Sequence, residues 1–381
     1  MSFLDLALVC TVALVGPVLA TPQRWHLPVV LGELLAGVVL GATGFGVLDA
    51  GGATFSFLGG CGFVLVMFVA GTHVPVRDPR LRPALRTGAM RAVLVGVVAV
   101  ALGYAVAHVV DTSHALVYAL LMASSSAAIV LPAVGSLQLT GPDLVDLLPQ
   151  VAIADSVCIV LLPLVIDSAH VARAALGAAA VIGAGVVLFL LLRWVEHSGV
   201  RVRVHDVSES REFAVELRVS LAAVFAMAAL AVAVHVSLML AGFVSGLAVA
   251  AVGEPRRVAK QLFAVTEGFF APLFFVWLGA TLQLRDLVDH PSMIVLGGCL
   301  GAGAALAHLA AVVLRQPAPY AMLATAQLGV PVAAATVGRQ LHVLAPGEGA
   351  ALVMGALVAL AVTVVGGSLA ARRRTPEPAD A

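Results

Sequence analysis

Thirteen apolar runs, most of them about 20 residues long, follow one another along this chain with short polar breaks between them, and that pattern leaves few folds open. The runs fall at roughly 3–21, 28–48, 55–74, 92–110, 115–137, 144–166, 174–192, 214–234, 237–252, 262–282, 293–314, 318–338 and 350–371, the ninth being short. About 20 apolar residues carry a helix across the hydrocarbon core of a bilayer. Helices satisfy their own backbone polar groups there, as irregular chain cannot. The residue balance agrees, with 61% hydrophobic and 11% charged residues, where soluble domains run about 45–50% and about 25%. Cys10, Cys61, Cys158 and Cys299 all fall inside the runs, so they read as small buried hydrophobes rather than a disulfide framework. The head MSFLDL carries an acid and no base, which argues against a cleavable signal. The chain reads as an all-α polytopic membrane protein of about 13 transmembrane helices.

Orientation follows from lysine and arginine, which concentrate on the cytoplasmic side. With the N-terminus outside, 18 of the 21 basic residues fall in inside loops, and only Arg173, Arg285 and Arg339 fall outside. The expected protein therefore sits in the cell membrane with a cytoplasmic C-terminus, and its arginine loops read as topology signals rather than nucleic-acid patches.

Three motif pairs recur in order. LAGVVLG (35–41) returns as LAGFVSG (240–246), VMFVAG (66–71) as FFVWLG (274–279), and the polar-then-proline pattern of ASSSAAIVLP (123–132) as ATAQLGVP (324–331). Each pair is separated by about seven spans, and an odd number inserts the second copy upside down, as in transporters built on inverted repeats. The expected organisation is a membrane domain over 1–371: repeat one at 3–166, a linker helix at 174–192, repeat two at 214–371, and a short cytoplasmic tail at 372–381.

The polar residues inside the runs carry the chemistry. Ser124, Ser125 and Ser126 lie in the middle of span 5 ahead of Pro132, and Thr325 and Gln327 precede Gly329 and Pro331 in span 12. Proline and glycine loosen a membrane helix, and nearby hydroxyls and amides satisfy the freed backbone groups. Two interrupted helices at matching repeat positions point to a substrate site at the bilayer midplane. The plainer alternative is that the serines bond back to their own turn and merely bend the helix.

Beside them, QVAIADSVCIVLLP (150–163) holds a single acid, Asp155, with no lysine or arginine within seventeen residues. An ionised acid at a helix centre costs at least about 2.5–3.5 kcal/mol, so its default reading is functional. Such an acid can be neutralised by a proton or by a cation, and serine hydroxyls and freed carbonyls suit a dehydrated hard cation. Glu33, Glu267 and His308 are the other ionisable groups within the spans that could take part, Glu33 and Glu267 as funnel or structural acids and His308 as a core histidine or a proton-linked partner.

At this point LPVVLGELLAGVVLGATGFG, SSSAAIVLP, QVAIADSVCIVLLPLV, LMLAGFVSGL and FFAPLFFVWLGATL, taken in order, resemble the motifs of the monovalent cation:proton antiporter family over residues 5–370. The resemblance implies thirteen helices in a dimerising panel and a six-helix core, with spans 5 and 12 crossing as broken helices, and it implies a homodimer. It matches Asp155 to the ion-binding aspartate and Ser125 or Ser126 to the hydroxyl that helps coordinate the transported monovalent cation, with Ser124, Thr325, Gln327, His308, Glu33 and Glu267 as accessory candidates. The chain departs from the family at Ala154, where an acid or amide is usual, at Gly41-Ala42 for the usual glycine-proline, and in span 11, which has no lysine or arginine.

Two other readings stand against exchange of Na+ or K+ for H+. One is a degenerate, non-transporting homologue, favoured by Ala154 and by span 11. The other is a sodium-coupled solute symporter of related fold, which would want more amide ligands than a chain without asparagine offers. No nucleophile–base pattern marks an enzyme, and no motif for a cofactor appears.

Overall fold

The computed structural model describes residues 1–21, 29–74, 84–167, 170–198, 214–253, 256–282 and 285–372, and among them every regular element is helical. In chain order these are α1 (Phe3–Ala13), α2 (Val15–Ala20), α3 (Val29–Leu40), α4 (Ala53–Thr72), α5 (Leu85–Val110), α6 (Ala115–Ala123), α7 (Ala127–Ser136), α8 (Pro142–Ile166) and α9 (Val171–His197). They continue as α10 (Val215–Ala233), α11 (Leu238–Val252), α12 (Arg256–Val265), α13 (Ala271–Thr281), α14 (Arg285–Asp289), α15 (Pro291–Leu309), α16 (Ala318–Ala324), α17 (Gly329–Gln340) and α18 (Glu348–Arg372). A π turn, Thr266–Phe270, joins α12 to α13, and a 3-10 turn, Ala310–Leu314, extends α15.

Among the described residues, ten helical stretches are long and apolar enough to cross a membrane, and α3 and α11 are shorter apolar helices. The ninth run is short, as expected: α11 has 15 residues. The second run, expected to reach residue 48, is helical only to Leu40. Beyond it the chain folds back so that the amides of Phe45 and Leu48 bond to the carbonyls of Val39 and Leu40. Gly46, at φ 67°, supplies the left-handed residue that this turn needs.

The described helices divide into two compact units, one over Met1–Arg77 with Asp167–Arg285 and one over Asp78–Ile166 with Asp286–Ala381. In the first, helices meet backbone to backbone. Gly242 and Gly246 of α11 lie against the carbonyls of Val64 and Phe68 in α4, and Gly279 of α13 lies against Leu34 of α3. Small residues allow this close approach where lipid removes the hydrophobic drive for packing. The Phe63 and Phe274 rings stack at 5.0 Å, and Trp277 Nε1 donates to Ala50 O at 3.0 Å. In the second unit, α5 packs on α6 and α8, and α18 packs on α15 and α16. Both interrupted helices belong to this second unit.

Candidate functional site

Span 5 breaks where the serines stand. α6 ends at Ala123, α7 starts at Ala127, and Ser124 and Ser126 between them have extended backbone (φ −69°, ψ 150° and φ −135°, ψ 109°). Span 12 breaks over residues 325–328, between α16 and α17. The interruption ends before Gly329, which is already the first residue of α17. Pro331, third in α17, costs no bond because first-turn amides have no intrahelical partner.

The two breaks are joined to each other. Ser125 Oγ donates to Ala324 O at 2.7 Å, and Ser124 Oγ donates to Gln327 Oε1 at 2.5 Å, with Leu121 O at 2.8 Å as its alternative acceptor. Thr325 bonds back to Met322 O in its own turn. Simple helix bending therefore describes Thr325, whereas Ser124 and Ser125 reach across to the partner break.

Asp155 lies midway along α8, 5% exposed, and the amide of Ala127 donates to its Oδ2 at 3.1 Å. Ala127 is the first residue of α7, so the positive end of that half-helix meets the carboxylate. Ser126 caps α7 without a hydroxyl bond to its amides and is 8% exposed. Asp155, the serines, Thr325, Gln327 and His308 all lie in the second unit. His308 bonds through Nδ1 to Ala304 O at 3.0 Å, within its own helix, and is 1% exposed. Ala154, with Ala123 and Cys158, lines an apolar pocket of about 320 Å³. Glu33 and Glu267 lie in the first unit within electrostatic reach of each other, Glu33 buried on α3 and Glu267 in the π turn.

Among the described residues no group of three or more His, Cys, Asp or Glu converges as a metal site. The oxygen donors gathered around the breaks are hydroxyls, carbonyls, one amide and one carboxylate. That set suits a weakly held monovalent ion.

The sequence reading passed over three features. The α7 amide on Asp155 needs coordinates to be seen. Glu348, fully buried at the start of α18, accepts from Tyr118 Oη at 2.6 Å and from the Ala345 amide at 2.8 Å, and pairs with His114 Nδ1 at 2.7 Å. Its signal was an acid opening the last apolar run. The third is the ion pair Arg91–Asp146 at 3.6 Å, close to a Gln150–Gln316 bond of 2.8 Å.

Comparison with known proteins bears on the fold and on the family. The family model of the sodium/hydrogen exchanger transmembrane region matches residues 10–371. The Bacillus subtilis protein YjbQ, named for Na(+)/H(+) antiport, is 24% identical over 96% of this chain and 62% of its own length. The glutathione-regulated potassium-efflux system protein KefC of Enterobacter sp. (strain 638) is 28% identical over 74% of this chain and 45% of its own length. The chain thus spans about half to three-fifths of these curated relatives. The structure of the sodium proton antiporter MjNhaP1 from Methanocaldococcus jannaschii superimposes with a TM-score of 0.67 at 15% identity, over 97% of this chain and 98% of that one, which shows a shared fold.

Proposed function

From the premise that this chain belongs to the sodium/hydrogen exchanger transmembrane family, we propose that it is a secondary antiporter, exchanging Na+ or K+ for H+ by alternating access. The observation that carries this is the one buried acid of α8 facing two interrupted, mutually bonded half-helices. Asp155 holds one proton or one monovalent cation at a time, with Ser125 or Ser126 and freed carbonyls as oxygen partners for the ion. An empty, ionised site would carry a bare charge through apolar packing, and that penalty makes exchange obligatory.

With Ala154 beside it and no lysine or arginine in α15, Asp155 has no second carboxylate to share the load. Exchange is therefore one for one and electroneutral, and the membrane potential, worth about 2.3 kcal/mol per charge per 100 mV, neither drives nor opposes it. The arrangement in the cell membrane is thirteen crossings, N-terminus outside and C-terminus inside, with repeats at 3–166 and 214–371, the linker at 174–192, a tail at 372–381, and assembly as a homodimer. The distribution of 18 of 21 basic residues supports the orientation. Cysteine labelling that placed the 193–213 loop outside would reverse it.

The test is cation-driven proton flux in liposomes under a valinomycin and potassium voltage clamp. Wild-type protein should exchange, with an equilibrium gradient independent of voltage, and Asp155→Asn should not exchange, because an amide neither titrates nor balances the ion. A gradient that moves with voltage rejects electroneutrality, and residual exchange by the variant rejects the site. Wild-type protein that moves no proton with either cation establishes the degenerate reading that Ala154 favours.

A further inference from the structure

The most under-satisfied polar region of the second unit lies apart from the breaks, where α5, α8 and the segment after α15 meet. Arg91 of α5 is 4% exposed, and Gln150 of α8 and Gln316 are each 1% exposed. They form one connected group. Arg91 Nη2 is 3.6 Å from Asp146 Oδ2, one turn before Gln150, and 3.4 Å from the carbonyl of Leu314, two residues before Gln316. Gln316 Nε2 donates to Gln150 Oε1 at 2.8 Å. Gly88 packs against the backbone of Gln150 and so brings α5 and α8 close at this level.

Four polar atoms of this group have no partner: Arg91 Nε, Arg91 Nη1, Gln150 Nε2 and Gln316 Oε1. Three of the four are donors, and two belong to a buried cation. Buried polar atoms are as a rule hydrogen-bonded, and each exception calls for an explanation. A buried charge calls for a counter-charge. Asp146 answers this only in part, because the contact is long and its side chain is 36% exposed.

We infer that this cluster is a binding site for a phosphate-class oxyanion, either free inorganic phosphate or the phosphodiester of an anionic lipid headgroup. Guanidinium groups and oxyanions match in charge and in donor and acceptor geometry. One phosphate group has enough acceptor lone pairs for the three unpartnered donors together, as a single water does not. The remaining Gln316 Oε1 accepts the O–H of a hydrogen phosphate or of a headgroup. Arg91 belongs to the arginine-rich loop side of span 4, which is the cytoplasmic side in the proposed orientation, but binding itself does not depend on the transport reading.

The test uses the purified full chain. Delipidated protein in detergent is titrated with inorganic phosphate, with chloride at matched ionic strength as the control, and its thermal midpoint is followed. In parallel, the midpoint is compared in nanodiscs of phosphatidylcholine alone and with phosphatidylglycerol added. A rise with phosphate over chloride identifies the free anion, and a rise only with phosphatidylglycerol identifies the headgroup. No rise in either arm overturns the inference and leaves the cluster to water. Arg91→Gln should weaken the response about tenfold, the worth of one charge-assisted bond. Because that variant can fail to fold, Gln316→Glu provides the second arm. It adds a second carboxylate to the cluster besides Asp146, and should keep the fold while losing the response. A full response in Gln316→Glu places the anion elsewhere and overturns the site. Proton flux measured on the same samples stays a separate readout, so loss of exchange and loss of anion binding are told apart.

Discussion

The two units are made from the same apolar alphabet and differ in what they bury. Of the seventeen polar or charged residues buried among the described ones, thirteen lie in the second unit, and only Glu33, Ser237, Ser245 and Thr266 lie in the first. Both units have glycines where helices meet backbone to backbone, at Gly242, Gly246 and Gly279 in the first and at Gly88, Gly103 and Gly366 in the second. The second has interrupted helices, an acid, amides and hydroxyls bonded across elements. A glycine seam has one good register and resists deformation, because interiors are close-packed. A set of hydroxyls, amides and half-helix ends can exchange partners at small cost. On the proposed reading, the first unit, with few buried polar groups, is suited to remain fixed, and the second to hold the ion and change state.

That contrast can be broken at the seam first, where the largest effect is expected. In Gly246→Val the new Cβ already meets the carbonyl of Phe68 and the backbone of Gly71. Overpacking of this kind costs about 1–3 kcal/mol. Thermal or denaturant stability should fall by that amount, while exchange per folded molecule in liposomes is kept. Unchanged stability would mean that the seam is looser than its contacts indicate.

The opposite signature is expected from the second unit. Gln327→Leu removes the acceptor of Ser124 across the two breaks and leaves Leu121 O as its remaining partner. Stability should change little, and exchange should fall about tenfold, the equivalent of one buried hydrogen bond. If stability falls and exchange survives, the bond between the breaks is scaffolding, and the functional division between the units fails.

Much of this was legible before any coordinates. The apolar runs gave the helices, because in lipid no other backbone arrangement is satisfied. Ser124–Ser126 and Thr325–Gln327 marked the breaks, because polar clusters ahead of proline have little other use inside a span. Asp155 stood out for its isolation. Three things were not legible. The helix of the second run stops at Leu40 because a glycine turn overrides an apolar stretch, and hydropathy carries no turn geometry. The amide of Ala127 on Asp155 is a backbone group that no side-chain pattern announces. Glu348 and Arg91 lie near helix ends, where charged residues are ordinarily solvated. Only packing reveals that Glu348 is fully enclosed and Arg91 nearly so.

Glu348 also supplies the smallest predicted effect, which sharpens the comparison because it concerns the fixed end of the changeable unit. Its carboxyl ties the start of α18 to the start of α6 through Tyr118 and His114. The hydrogen bond that His114 donates to the Glu348 carboxylate holds its imidazole above the usual range, against the opposing effect of partial burial. A group whose folded value is raised contributes stability that is fully present below its unfolded value, near 6.5, and that is lost as pH rises through the folded value. Stability should therefore decline from pH 6 upward by an amount attributable to His114, about 1 kcal/mol or less for a partly exposed pair. The measurement is the difference in unfolding free energy between wild type and His114→Ala, taken from pH 5.5 to pH 8.5. The gap should be widest at the acid end and narrow toward the alkaline end. A gap that stays constant would show that His114 acts by packing against Tyr118 alone. A gap that widens with pH would show that Glu348 is held by its other two donors and gains nothing from the imidazolium.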